Sequence, residues 1–415
     1  MALSASFKTV WSREMQEVLW VTNVWRPQAN FRLEDELVDG DTVKRVYPSK
    51  MVPTDYTRYS DITFQRGTTT AESLTVDKTP TVPFEISNLD ELQSTPKARE
   101  KLTNMAVEQL NNIINGWYTA EVTNASSTID AANFGGTAGQ GATITPANVK
   151  KMFSISQRNL GRQNVYKFKP GESDFFANLT PDIYQALIES LGDRESMLGD
   201  KLSENGHAGR YGIFDLYVHN AGYWTGSLTM VTQPTDGDTI TIKVADQTIT
   251  FTFKTTVDAG VTEGQVEIGA NVDTTRATLT NSINNLGTTV ADGTVGFNAL
   301  SADKRAAMYG ITATNDNTGD LMTLTWRGVG APIVSASFTS ANNFWTPGKN
   351  ISNCMFGKKG SVDFVIQRYP KIQVDPAENR IEEFKIKPYT LFGKKTFADG
   401  ARKLVNVKVD TTSYV

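Results

Sequence analysis

A chain of 415 residues, 39% hydrophobic and 21% charged, has room for roughly two or three domains and is too apolar to be a disordered protein. Its formal net charge of −4 speaks against a dedicated nucleic-acid binder, which carries a basic surplus, and suits a protein packed in many copies without strong self-repulsion. The single cysteine, Cys354, excludes an intramolecular disulfide framework and a cysteine-cluster zinc site and fits a reducing cytoplasm, and no apolar run approaches the length of a membrane span or a secretory leader.

Residues 1–35 read as an arm. In "WSREMQEVLWVTNVW", Trp11, Met15, Val18 and Leu19 recur at helical steps, with Ser12 as a cap and Thr22 as an interruption. Trp11, Trp20 and Trp25 need cover that so short a segment cannot supply. The arm either tucks onto its own domain or docks on a neighbouring subunit. Residues 36–90 change character. "RYSDITFQRGTTTAESLTVDKT" alternates on both sides of a polar centre, with Ile62 and Phe64 before it and Leu74 and Val76 after it. This predicts a long β-hairpin with Arg66-Gly67 and the threonines at its tip, marginal unless it lies on something.

"STPKAREKLTNMAVEQLNNIINGWYTAEV" predicts a helix from Pro96 to Val122, about 40 Å long, capped by Thr95. Ala98, Leu102, Met105, Ala106, Leu110, Ile113, Ile114 and Trp117 form its packing stripe, and Gly116 is its weak point. A Gly/Ser/Thr loop follows. Thr145-Pro146 and Thr180-Pro181 then start two more helices, the second ending at Gly192, with a strand in "NVYKFKPGESDFFANL" between them. Residues 145–225 are therefore mixed α/β.

From 226 to 345 the composition shifts toward Thr, Asp and Gly. Two strands flank Ala245-Asp246-Gln247, a helix runs from Asp273 to Gly287, and two more strands flank an Asn/Asp/Gly turn. The stretch has the size of a domain and interrupts a style that resumes after it. Residues 346–415 are again strand-rich.

The mixture that most suggests chemistry is "GHAGRYGIFDLYVHN", which holds both histidines, His207 and His219. As a strand it puts Phe214, Leu216 and Val218 on one face and Ile213, Asp215, Tyr217 and His219 on the other. Asp215 and His219 are then about 13 Å apart, too far for a dyad. The glycines precede a strand rather than open a helix, so they are not a phosphate cradle. A glycine-shaped turn is the better reading. "DNTGD" (316–320) and "TDGD" (235–238) could suit calcium but lack the bidentate glutamate of an EF-hand, and read as hairpin turns. The pairs Lys150-Lys151, Lys358-Lys359 and Lys394-Lys395 are scattered and read as solvated surface, with weak nucleic-acid contact as the alternative. No catalytic, cofactor or metal residue is expected.

The order of parts carries a resemblance. "LTVDKTPTVPFEISNLDELQSTPKAREKLTNMAVEQLNNIINGWY", "NGHAGRYGIFDLYVHN" and "FKIKPYTLFGKKTFADGARKLVNVKV" are similar to the extended loop and spine helix, the axial-domain turn and strand, and the closing strands of the tailed-bacteriophage major capsid proteins. Ile213-Phe214 and His219-Asn220 depart slightly from that family's pattern. The resemblance covers about 1–225 and 346–415. It implies an α+β, Hong Kong 97-type fold: N-terminal arm (1–35), extended loop (36–90), peripheral domain with spine helix (91–144), axial domain (145–225), a β-rich insertion domain (226–345) and closing strands of both domains (346–415).

It implies a non-enzymatic major capsid protein that self-assembles as pentamers and hexamers into an icosahedral head around double-stranded DNA. Assembly would take place in the host bacterial cytoplasm, and the protein would reside in the virion capsid. Expected partners are further copies of the chain, a separate scaffolding protein, portal and decoration proteins, and DNA by weak non-specific contact, with no membrane. A tail-tube or decoration protein is the alternative. Arg58, Asp61, Arg66, Glu72, Asp77 and Lys78, with Trp11 and Trp20, are the expected subunit-interface residues.

Overall fold

A computed structural model describes residues 25–37, 40–87, 98–167, 174–192, 209–218, 221–244, 247–257, 264–284, 304, 308–329, 332–346, 350–376 and 383–410. The chain divides into two compact units. One takes in residues 29–107 and 360–400. The other takes in 108–359, with Trp25–Gln28 and residues 401–410.

The first unit is built on a five-stranded sheet. Strands β1 (Thr42–Pro48) and β2 (Thr69–Lys78) pair antiparallel, from Thr42 opposite Thr75 to Pro48 opposite Thr69. Beyond β2 lie β18 (Glu383–Lys395) and β17 (Asp363–Pro376), and β3 (Phe84–Ser87) also pairs with β18. Leu74 and Val76 point inward, as their alternation predicts. They share a core with Val43, Leu33, Leu37, Val365 and Phe397. Their ladder partner is "TVKRVYP", not the Ile62/Phe64 segment. That register sets Val43 opposite Leu74 and buries both. The hairpin is real, but its tip is the whole of 49–68. Thr69 and Thr70 belong to β2, and Arg66-Gly67 lie on the limb that returns to it.

The longest helix, α1 (Ala98–Ala120), ends in a 3₁₀ turn, Glu121–Asn124, rather than running on to Val122. Its expected cap at Thr95-Pro96 lies outside the described residues. The packing face also differs from the expected stripe. Ala106, Val107, Leu110, Ile114 and Tyr118 are buried, whereas Met105 is exposed. Gly116 is more than a weak point: a Cβ there would lie 3.3 Å from the carbonyl carbon and oxygen of Arg327. The glycine lets helix and strand backbones approach.

The second unit holds a ten-stranded sheet. Its strands are β4 (Ser127–Ile129), β5 (Phe175–Leu179), β6 (Arg210–Tyr211), β7 (Phe214–Val218), β8 (Ala221–Met230), β12 (Ile311–Asp316), β13 (Leu321–Val329), β15 (Asn343–Trp345), β16 (Ile351–Lys358) and β19 (Leu404–Asp410). The main path runs β12-β13-β8-β16-β5-β7-β6. Helices α2 (Val149–Arg162) and α3 (Pro181–Gly192) pack on its centre. Phe153, Phe175, Phe214 and Phe356 meet there as edge-on and tilted rings.

Helix α3 starts at Pro181 and ends at Gly192, as the sequence predicts. Helix α2 starts three residues after Pro146. Asn148 accepts the Thr145 amide N–H on Oδ1 and donates to the Thr143 carbonyl, closing a turn before the helix begins.

A second core lies where β8 and β13 meet a four-stranded sheet of β9 (Thr239–Val244), β10 (Gln247–Lys254), β11 (Gln265–Glu267) and β14 (Ile333–Ser337), with α4 (Val272–Asn284). Val244 sits opposite Gln247, which opens β10 rather than belonging to the turn between the strands. The α4 cap is Asn271, whose Oδ1 accepts the Thr274 amide N–H, and not Asp273. Asp273 instead pairs with the buried Arg276, which also reaches Asp320 at 2.8 Å. Residue 226 falls in the middle of β8, which pairs along 221–229 with β13 and at Tyr223–Thr225 with β16.

Candidate functional site

The loop at 49–68 combines structure and exposure in an unusual way. Its base continues the β1–β2 ladder, because the Ser49 amide donates to the Thr68 carbonyl at 2.7 Å. Further out, Gln65 clamps Val52 from both sides, accepting its N–H at 2.9 Å and donating to its carbonyl at 2.6 Å. The tip turns at Thr57–Ser60, where Tyr59 takes a φ of 70°. The loop is thus shaped by its own hydrogen bonds, yet it exposes Met51, Val52, Tyr56, Tyr59, Ile62 and Phe64. Phe64 is 89% accessible and Tyr59 88%. The sequence singled out the charges of this loop; the structure adds that large apolar side chains stand exposed among them.

The expected interface residues separate into three groups. Arg58, Asp61 and Arg66 are exposed on this loop, Arg58 lying over the Tyr59 ring at 5.0 Å. Glu72, Asp77 and Lys78 are on β2 and are partly engaged within the unit. Glu72 accepts the Ala398 amide N–H at 3.1 Å, and Asp77 and Lys78 pair with each other at 2.5 Å. Trp11 and Trp20 lie outside the described residues.

The "GHAGRYGIFDLYVHN" stretch is a turn delivering a strand. Arg210 opposes Asp215 and Tyr211 opposes Phe214, leaving Gly212-Ile213 as a two-residue turn. Gly212 has a φ of +60°, and Ile213 does not have positive φ, which is the type II′ arrangement. Phe214 and Leu216 are buried together, but Val218 of the same expected face is exposed and Ile213 of the other is buried. Asp215 meets Lys359 at 2.8 Å, and that hydrogen bond holds the lysine above its ordinary pKa. Both histidines lie outside the described residues.

The calcium-like acids are committed to turns. Asp316 caps Thr318 and Gly319, Asp238 caps Thr235, and Asp236 binds Thr255 through its N–H and hydroxyl, which lowers its pKa. Among the described residues no group of three acids, histidines or cysteines could hold a metal. Four of the paired lysines are less free than expected. Lys150 donates to the Ser190 carbonyl, Lys151 lies over Phe134, Lys358 lies over Phe175, and Lys359 pairs with Asp215. Among the described residues no helix is long and apolar enough to cross a membrane.

No protein-family model and no curated protein matches the sequence. Among solved structures the chain is similar to one from Mycobacterium phage Che8, at 8% identity and a TM-score of 0.52, over 92% of this chain and 90% of that chain. The asymmetric unit of the bacteriophage PhiM1 mature capsid (10% identity, TM-score 0.45, 94% and 87% covered) and the capsid structure of the cyanophage P-SCSP1u (8%, 0.45, 90% and 85%) are more distant. The mixed α+β, strand-rich fold thus resembles that of the Mycobacterium phage Che8 structure over nearly the whole chain.

Proposed function

We propose that the chain is the major capsid protein of a tailed bacteriophage, with a Hong Kong 97-type fold, assembling as pentamers and hexamers into an icosahedral head around double-stranded DNA. The observation that carries the reading is the 49–68 loop, self-bonded at its base and apolar at its surface, which gains its cover from another copy. The likeness to the Mycobacterium phage Che8 structure supports it at the level of fold. Met51, Tyr56, Tyr59, Ile62 and Phe64 form the apolar contact, with Arg58, Asp61 and Arg66 as its polar rim.

A separate scaffolding protein, portal and decoration proteins, and weakly held DNA are the partners this reading brings, and residues 226–345 are its insertion. The role is structural rather than enzymatic, exercised in the virion capsid. Negative-stain microscopy of the expressed chain tests it. Closed shells are expected; open tubes or discrete small particles would refute it.

A further inference from the structure

In the second unit a cavity of about 270 Å³ opens where α1, the end of α4 and the β12–β13 pair meet. Its walls are mixed: Ile113, Trp117, Ile283 and Met308 supply apolar surface, Asn284 and Thr312 polar groups, and Tyr309 is at an exposed position on it. Among the described residues that line it there is one cation, Arg327 on β13. The backbone of that residue is closely held. A Cβ on Gly310 would fall 2.3 Å from the Arg327 carbonyl oxygen, Gly116 of α1 approaches the same carbonyl, and the Arg327 amide donates to the Gly310 carbonyl at 3.3 Å. The guanidinium carbon lies 3.8 Å from the centre of the Trp117 ring, and Tyr223 is its cross-strand neighbour. Burial lowers the pKa of Arg327.

Among the described residues no aspartate or glutamate forms an ion pair with Arg327, although Arg45, Arg210 and Arg276 each have one. A half-buried guanidinium stacked on one aromatic face, with no carboxylate partner among the described residues, is an incomplete site. Its planar fork fits a carboxylate with two hydrogen bonds. The small volume and the apolar share of the wall, from Ile113, Trp117, Ile283 and Met308, suit a side chain with an aliphatic stem better than a drug-sized ligand. A nucleic-acid backbone would need a row of cations rather than one at the mouth of a pocket.

We infer that this cavity binds a carboxylate on a short apolar stem, a glutamate side chain presented by a partner polypeptide. The test uses the full chain and two fluorescein-labelled peptides, Ala-Leu-Glu-Leu-Ala and its glutamine counterpart, read by anisotropy. The glutamate peptide binds roughly tenfold tighter or better, as one charge-assisted contact implies. Arg327→Gln abolishes that preference, and Arg327→Lys keeps part of it. A mass-spectrometric readout needs no variant: the glutamate peptide shields Arg327 from phenylglyoxal and the glutamine peptide does not. Equal affinities in the wild type, a preference that survives Arg327→Gln, or shielding by a single-stranded oligonucleotide in place of the peptide would overturn the inference. The outcome is independent of whether the chain forms shells.

Discussion

Gly212 shows how far one residue can be read. Its place in a Gly-rich run before a strand suggested backbone geometry over chemistry, and its φ of +60° is the geometry required. A Cβ at Gly212 would meet nothing within 4 Å, so the cost of substitution there is conformational and not steric. Gly212→Val puts a β-branched residue where such residues are outliers and should destabilise by about 1 kcal/mol or more, whereas Gly212→Asn should cost less. Thermal melts of the two variants check the order; equal melting temperatures would show that the turn is not strained.

Cys354 gives a pH prediction at the same scale. Burial pushes its thiol up to about 12 from its ordinary value near 9. The folded state therefore keeps a proton that the unfolded chain releases. Stability from this site is complete below pH 9 and falls as pH rises from there toward 12. Cys354→Ala should flatten that alkaline decline in melting temperature, and an unchanged slope would assign it to other groups. Neither this burial nor the stacking of Arg327 on Trp117 could be seen in the sequence, because both depend on partners far along the chain.

At the scale of elements, legibility followed periodicity. The β9–β10 hairpin and the start of α3 lie where alternation and a Thr-Pro pair put them. The β1–β2 ladder did not, because two segments, "TVKRVYP" and the one around Ile62, both offered apolar residues to β2, and only the shared core with Val365 and Phe397 decides between them. For the same reason the boundary at 226 needs moving to be tested. A fragment 226–345 loses Ala221–Thr225, and with it Trp224, which is buried and stacked on Trp345 at 6.0 Å. A fragment 221–346 should unfold cooperatively. The shorter one should be less stable by about 3–5 kcal/mol, the usual cost of losing a buried tryptophan. Calorimetry of both fragments decides it, and identical unfolding would show that Ala221–Thr225 contribute nothing.

At the scale of the whole molecule the question is which side chains of the 49–68 loop would join copies. Polar residues drew attention to the 49–68 loop, but no periodicity distinguishes Met51, Tyr56, Ile62 and Phe64 from core residues until their exposure is known. The distinction has a measurable consequence. If copies were joined by Arg58, Asp61 and Arg66, shells would loosen in salt, since exposed ion pairs are screened beyond about 8–10 Å at physiological ionic strength. If they are joined by the apolar side chains, association follows the hydrophobic effect: insensitive to moderate sodium chloride, promoted by sulfate and weakened on cooling. We expect the second pattern. Light scattering should show assembly that persists at about 0.5 M sodium chloride and rises with temperature between about 5 and 25 °C. Replacing Tyr59 and Phe64 together by serine should abolish it while the subunit keeps its melting temperature, because both side chains lie outside every core of the described chain. Shells that dissolve in salt and form normally from the double-serine variant would transfer the role to the charges.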